Sequence, residues 1–294
     1  MTALPEPPAR RQASTPETSR VTLALGAGGA RGLAHIVALE ALDELGVKPA
    51  AISGTSMGAI IGAAYAAGLP GRALRAFVLA AFRQRPRVVA KLLEARVGKI
   101  SELFSRVGLG NPVLVDGERI LDLFWPEAVP DHFEALKIPL TVIATDYHLR
   151  SEVAMSSGPL TPAVGASMAI PGLVRPVLLD NRVLIDGGAV NPLPYEHVRQ
   201  PGAFVIAVDV CGVSFVSDSR IPEPVEAMFG ASQILMSSVV QRMIERHPPD
   251  VIIRPDVGAF AGLDFFKAED ILTAAGSIKD DIKRALDARL AAKA

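Results

Sequence analysis

The sequence predicts a three-layer α/β/α sandwich around a mainly parallel central sheet. Two observations carry that expectation. Strand-like and helix-like stretches alternate from Val21 to Ala67, the order of crossover units whose helices cover a parallel sheet. The first two strand-like stretches each run into a glycine-rich turn that opens a helix, and the carboxyl ends of such strands are where open α/β sheets carry their sites.

Val21-Thr22-Leu23-Ala24-Leu25 reads as a short buried strand. It enters Gly26-Ala27-Gly28-Gly29-Ala30-Arg31-Gly32, and a helix is expected from about Leu33 to Leu45. A glycine-rich loop opening a helix presents unpaired N–H groups to an anion, either a bound phosphate or the oxyanion of acyl transfer. The dinucleotide fingerprint fails, because the sixth residue counted from Gly26 is Arg31 and the next strand ends without an acid. No Gly-Lys-Ser/Thr follows to make a nucleotide-binding loop of the other kind. The oxyanion reading gains, since the next strand supplies a nucleophile. His35, among apolar neighbours in the expected helix, reads as a packed, hydrogen-bonded side chain.

That nucleophile is in Ile52-Ser53-Gly54-Thr55-Ser56-Met57-Gly58, a Gly-x-Ser-x-Gly pattern followed by helix-compatible Ala59 to Ala67. A strand turning straight into a helix lifts Ser56 onto a tight backbone, and Gly54 and Gly58 keep the turn free of Cβ clashes. The stretch from Pro49 to Gly71 carries no charge and is long enough to span a bilayer. It begins with a strand and contains Gly54, Gly58, Gly62, Gly68 and Pro70, so a core helix buried on all sides is expected instead.

Residues 72–110 differ in character. Nine basic residues stand against Glu94 and Glu102, a local charge of +7, with apolar residues interleaved at roughly helical spacing. Two readings stay open: amphipathic helices packed on the domain with a solvated basic face, or a surface that meets anionic lipid. Short helices are expected at Gly117–Phe124 and Pro130–Leu136, then strands at Pro139–Thr145 and Ser151–Met155. Asp146 and Trp125 read as structural. A helix over Thr161–Ala169 leads to a hairpin over Val177–Ile185, turning at Asp180-Asn181. The hairpin ends at Asp186-Gly187-Gly188. Ala203–Val210 is a buried strand, Glu223–Arg246 a long helix stopped by Pro248-Pro249, Val251–Ile253 a last strand, and Ala268–Leu290 a terminal amphipathic helix.

The whole chain has 294 residues, half of them hydrophobic, and a net charge of −1. Its mean hydropathy is +0.33. No global field recruits nucleic acid. A single cysteine, Cys211, excludes an internal disulfide and reads as a buried thiol. Five scattered histidines and one cysteine offer no metal-ligand spacing, so a zinc site is not expected; no cofactor is expected either. Residues 1–20, with four prolines and no apolar segment after Arg10 and Arg11, read as a disordered tail without a targeting signal. Residues 21–294 are expected to form one domain, its core motifs in 21–210 and further helices and a strand in 211–294. The expected location is the cytoplasm, with peripheral membrane contact through 72–110.

A serine on such a turn needs a base and oxyanion donors. Asp186 followed by His197 or His247 would complete a Ser-Asp-His order. Neither histidine has a glycine-rich exposed setting: His197 is at an apparent helix start, His247 beside two prolines. Four motifs in order resemble the patatin-like phospholipase family, especially its bacterial single-domain members. They are Gly28-Gly29-Ala30-Arg31-Gly32, Gly54-Thr55-Ser56-Met57-Gly58, Ala166-Ser167 with Pro171, and Asp186-Gly187-Gly188. Ala27 departs from the pattern, where many members carry glycine. The resemblance implies a Ser56–Asp186 dyad without histidine, and an oxyanion hole from the N–H groups of Gly28, Gly29 and Met57. Arg31 would hold the loop or favour negative charge, with Gly26, Gly32, Gly54, Gly58, Gly187 and Gly188 in support. It further implies lipid acyl esters, phospholipid or lysophospholipid, as substrates and no metal. Two other expectations remain at this point: a small-ester esterase using a histidine, and a regulator that keeps the fold but acts by binding.

Overall fold

Strand β1 (Val21–Leu25) is paired in parallel with β2 (Ile52–Thr55) on one side and β9 (Phe204–Val208) on the other. Beyond them lie β10 (Val251–Ile253), parallel to β9, and β5 (Leu140–Asp146), parallel to β2. The sheet is completed by β6 (Ser151–Met155), β7 (Val177–Leu179) and β8 (Arg182–Asp186), which are antiparallel to their neighbours. Its order is β10-β9-β1-β2-β5-β8-β7, with β6 also on β5. A separate short antiparallel pair joins β3 (Arg96–Val97) to β4 (Leu114–Val115). This computed structural model describes residues 20–83, 96–97, 114–117, 121, 125–211, 221–222 and 224–292. The expected tail up to residue 19, most of the basic stretch after Arg83, and most of the helix expected at Gly117–Phe124 lie outside the described residues.

Alternation along the strands divides the core into two sides. Val21, Leu23, Leu25, Ile52, Ile206 and Val208 face one side, with α1 (His35–Glu44), α2 (Met57–Ala66), α3 (Gly71–Arg83), α6 (Ala268–Ala274) and α7 (Ile278–Ala291) packed around them. Ala24, Val205 and Ala207 face the other side, against Leu193, Tyr195, Val198 and the Val240 turn of α5 (Pro224–Arg246). The result is the expected sandwich with a mainly parallel sheet. All ten residues of α2 are buried, so the uncharged stretch is a core helix. Among the described residues no helix is long and apolar enough to cross a membrane.

The joint between β2 and β8 positions everything that follows. Strand β6 pairs with Val142–Asp146 of β5, while β2 pairs with Leu140–Ile143 and β8 with Ala144–Asp146. A strand has only two edges, so β2 and β8 share the edge that β6 leaves free. They meet there end to end: Thr55 is opposite Ile143 and Asp186 opposite the next residue, Ala144.

Three local expectations changed. The helix after β1 starts as a 3-10 turn, Gly29–Ala34, before α1 takes over at His35, because the glycine loop folds back tightly on the sheet. The expected terminal helix is interrupted by a 3-10 turn, Ala275–Ser277, at Gly276, where a helix interior is weakest. The segment expected to be helical over Pro130–Leu136 forms only the 3-10 turn Phe133–Ala135. The Asp180-Asn181 turn is as expected, both residues having positive φ (50° and 58°), as a type I′ hairpin needs.

Candidate active site

Ser56 occupies the single residue between β2 and α2, with φ 56° and ψ −120°. A non-glycine residue there costs on the order of 1–3 kcal/mol and persists only where its surroundings hold it. They do so through sterics and hydrogen bonds. A Cβ on Gly58 would fall 2.1 Å from the Leu25 carbonyl oxygen, and one on Gly54 2.6 Å from the Gly58 oxygen. Helix α2 can therefore press onto the end of β1 only with glycine at 58, and turn back tightly from β2 only with glycine at 54. The Ser56 amide donates to Ser167 Oγ at 2.9 Å.

Ser56 Oγ donates to Asp186 Oδ2 at 2.6 Å across 130 residues of sequence. Asp186 Oδ1 accepts from the Gly188 amide at 2.7 Å, which turns the chain sharply out of β8. Gly187 is wedged in the joint: a Cβ there would be 2.2 Å from the Ile143 carbonyl oxygen. Both side chains are nearly out of solvent, Ser56 at 4% and Asp186 at 8% exposure. Burial pushes the Asp186 carboxyl up to about 6, against the smaller lowering effects of its bonds from Ser56 and Gly188. A carboxylate held near neutrality beside a serine hydroxyl is poised to exchange a proton.

The glycine loop passes over this pair. Ala27 N–H donates to the Pro192 carbonyl and Ala30 N–H to the Gly262 carbonyl, both at 2.8 Å. Between these anchors, Gly28 and Gly29 line the same cavity as Ser56 and Asp186. Gly29 has φ +58°, and a Cβ on it would sit 2.2 Å from the Gly262 oxygen. Arg31 Nε donates to the Phe260 carbonyl at 2.7 Å, so its side chain staples the loop to the segment before Gly262. It does not line the cavity. Cys211 Sγ donates to the Ala27 carbonyl; burial raises its thiol pKa and keeps it protonated. His35 Nε2 donates to the Gly26 carbonyl at 2.7 Å, and burial lowers the imidazole to about 4, leaving it neutral. Met57 begins α2, where backbone N–H groups have no intrahelical acceptor. Its side chain packs on Gly32, 2.5 Å from where a Cβ would be.

The cavity holds about 220 Å³ and is mostly apolar. Ile170 and Pro171 line it together with Phe229, Leu235, Met236 and Val239 of α5. Helix α5 thus crosses the site, with Met236 Sδ resting where a Cβ on Gly188 would be. Met228, Ile234 and Leu235 on the same helix, and Leu263 at the rim, are exposed. The sequence showed α5 as a long helix and carried no sign of what it covers.

The two candidate histidines are elsewhere. His197 is paired with Glu152, which raises its pKa. His247 is exposed on the C-terminal end of the α5 segment. Neither lines the cavity. Glu152 also accepts from Asn191 Nδ2 at 2.7 Å, and the Asn191 carbonyl accepts from Thr55 Oγ1 at 2.8 Å, so the loop after Asp186 is tied to both β6 and β2. Asp146 caps its own turn by accepting from the amides of His148 and Leu149. Of the basic stretch, α3 is described: its Leu74, Val78 and Phe82 are in the core, and Arg75 is paired with Glu40.

Residues 23–199 match the family model described as patatin-like phospholipase. An uncharacterized NTE family protein of Mycobacterium tuberculosis is 37% identical over 222 residues, covering 75% of this chain and 57% of that protein. Lysophospholipase NTE1 of Kluyveromyces lactis is 28% identical over 285 residues, 89% of this chain and 19% of its own length. Patatin-like phospholipase domain-containing protein 6 of Homo sapiens is 33% identical over 193 residues, 65% of this chain and 13% of that protein. The chain thus spans about half the length of the mycobacterial relative and under a fifth of the other two. The family model covers the end of β1, the glycine loop, the serine turn, the Ala166-Ser167 block and the Asp186 loop together, and the chain belongs to the patatin-like phospholipase family.

Proposed function

We propose that this chain is a serine acyl hydrolase of lipid esters, phospholipid or lysophospholipid, working through Ser56 and Asp186. The observation that carries the reading is the 2.6 Å hydrogen bond from Ser56 Oγ to Asp186 Oδ2 at the edge of an apolar cavity. Asp186 takes the hydroxyl proton as Oγ attacks the ester carbonyl carbon. The carbonyl π electrons move onto oxygen, and the N–H groups of Gly28, Gly29 and Met57 receive that charge. Collapse re-forms the carbonyl and expels the alcohol, which takes the proton back from Asp186. Water then gives a proton to Asp186 and attacks the acyl-enzyme, releasing the fatty acid and restoring the Ser56 hydroxyl.

The apolar walls suit an acyl chain, and the exposed Leu235 and Leu263 of its lining, with Met228 and Ile234 exposed on the same helix as Leu235, suit a lipid surface from which it would enter. Contact of residues 72–110 with anionic lipid belongs to the same proposal, as does residence in the cytoplasm. Each basic residue near an anionic surface adds about 1 kcal/mol, weakened by salt. The assignment of the base to Asp186 is supported by the pairing of His197 with Glu152, outside the cavity. A fluorophosphonate probe tests the reading: it should label wild type at Ser56, leave Ser56→Ala unlabelled, and be displaced by the preferred lipid in a panel of phospholipids and lysophospholipids. A folded wild-type protein that takes no label and cleaves none of these lipids would leave the binding-regulator reading in its place.

A further inference from the structure

The C-terminal end of α4 (Leu160–Ser167) touches the backbones of both residues in the proposed reaction. Ser167 Oγ accepts from the Ser56 amide at 2.9 Å, and two residues later the Ala169 carbonyl accepts from the Asp186 amide at 3.0 Å. Ser167 Oγ also donates to the Ile143 carbonyl at 2.5 Å, and Ile143 is the β5 residue opposite the last residue of β2. The hydroxyl is therefore a bridge at the place where β2 ends and β8 begins. Ser167 is fully buried, so the bridge it makes lies out of bulk solvent.

Geometry makes this contact matter. Ser56 lies past the last ladder pair of β2 with β5, and its buried amide still needs an acceptor in the interior, which Ser167 Oγ supplies. Without one, the strained turn has little reason to persist. Because Ser167 and Ala169 are two residues apart on one short segment, they gauge the spacing of the two amides. That spacing in turn sets the reach of Oγ to Oδ2. The Ala169 half of the gauge is backbone; the Ser167 half is a side chain and can be removed.

We propose that Ser167 is a positioning residue for acyl transfer: its hydroxyl holds the Ser56 amide and so delivers Ser56 Oγ onto Asp186. This rests on the acyl-hydrolase reading. It also assigns the Ser56 amide to Ser167 and takes it out of the oxyanion hole, which is left to Gly28, Gly29 and Met57.

The test is the saturating rate of Ser56 acylation by a fluorophosphonate and by a p-nitrophenyl ester in Ser167→Ala and Ser167→Cys, counted per folded, titrated molecule. A misplacement of the attacking oxygen by part of an ångström predicts a loss of about 10- to 100-fold in that rate, with KM for the ester unchanged. Ser167→Cys keeps the shape but bonds weakly, so it should fold and fall between wild type and Ser167→Ala. If Ser167→Ala does not fold, Ser167→Cys carries the test alone. Wild-type acylation in any folded variant overturns the proposal, and so does a loss confined to KM or to Tm. Failure of the underlying reading looks different, because wild type itself would then take no label.

Discussion

Replacing Asp186 by Asn should make the protein more stable at pH 8 while removing its activity. The carboxyl has been moved from an ordinary value of 3.8 to about 6 by burial. At 1.36 kcal/mol per pKa unit, that is a cost of about 3 kcal/mol for keeping it ionised in the fold. An acid whose folded pKa lies above its unfolded one binds more protons in the native state. Stability contributed by this group is therefore greatest below about pH 4, falls as pH rises through about 6, and is flat above that. Asparagine keeps the acceptor for the Gly188 amide and carries no charge at any pH. Thermal melts of wild type and Asp186→Asn at pH 4.5, 6 and 8 should show the variant gaining with pH, by about 5 °C or more at pH 8. In the same series, wild-type kcat/KM for a soluble ester should rise with one inflection near pH 6 and then level, being about tenfold below the plateau at pH 5. A variant that is destabilised, or whose gain is the same at all three values, would refute the reasoning. So would a wild-type profile with no inflection near 6.

Ser56→Ala and Asp186→Asn should each lower kcat by several orders of magnitude, and the double variant little further, because the two act as a unit; ester hydrolysis by folded protein checks this. His197→Ala and His247→Ala should keep most activity, and loss of turnover in either, with Asp186→Asn still active, would restore the triad. Gly58→Ala puts a Cβ 2.1 Å from the Leu25 oxygen and should cost about 3 kcal/mol or more, read as a fall in the chemical-denaturation midpoint. Val239→Phe should fill part of the cavity and shift preference towards shorter acyl chains, read from kcat/KM over a series of p-nitrophenyl esters.

The positions of Ser56 and Asp186 at strand ends, the glycine loop and the strand–helix alternation were legible in the sequence. Each is enforced by local chemistry: β-branched and apolar runs make strands, and only glycine tolerates the close approaches at Gly29 and Gly58. The fold class followed, because alternating strands and helices have few ways to bury both faces of a sheet. What local chemistry could not reveal was how the two residues meet. Parallel strands with their carboxyl ends along one edge were the expectation, yet Asp186 arrives on an antiparallel strand that runs head-on towards β2 along β5. Strand direction and shared edges depend on pairings between residues far apart in the chain, and no local pattern records them. The same holds for Ser167, whose type suits many buried places and whose role appears only beside the Ser56 amide. It holds too for α5, whose apolar residues read alike whether they cover a core or line a cavity. The residue types and turns were set by the sequence alone; the 2.6 Å contact, the burial that lifts the Asp186 carboxyl and the wall above it were decided by the tertiary structure.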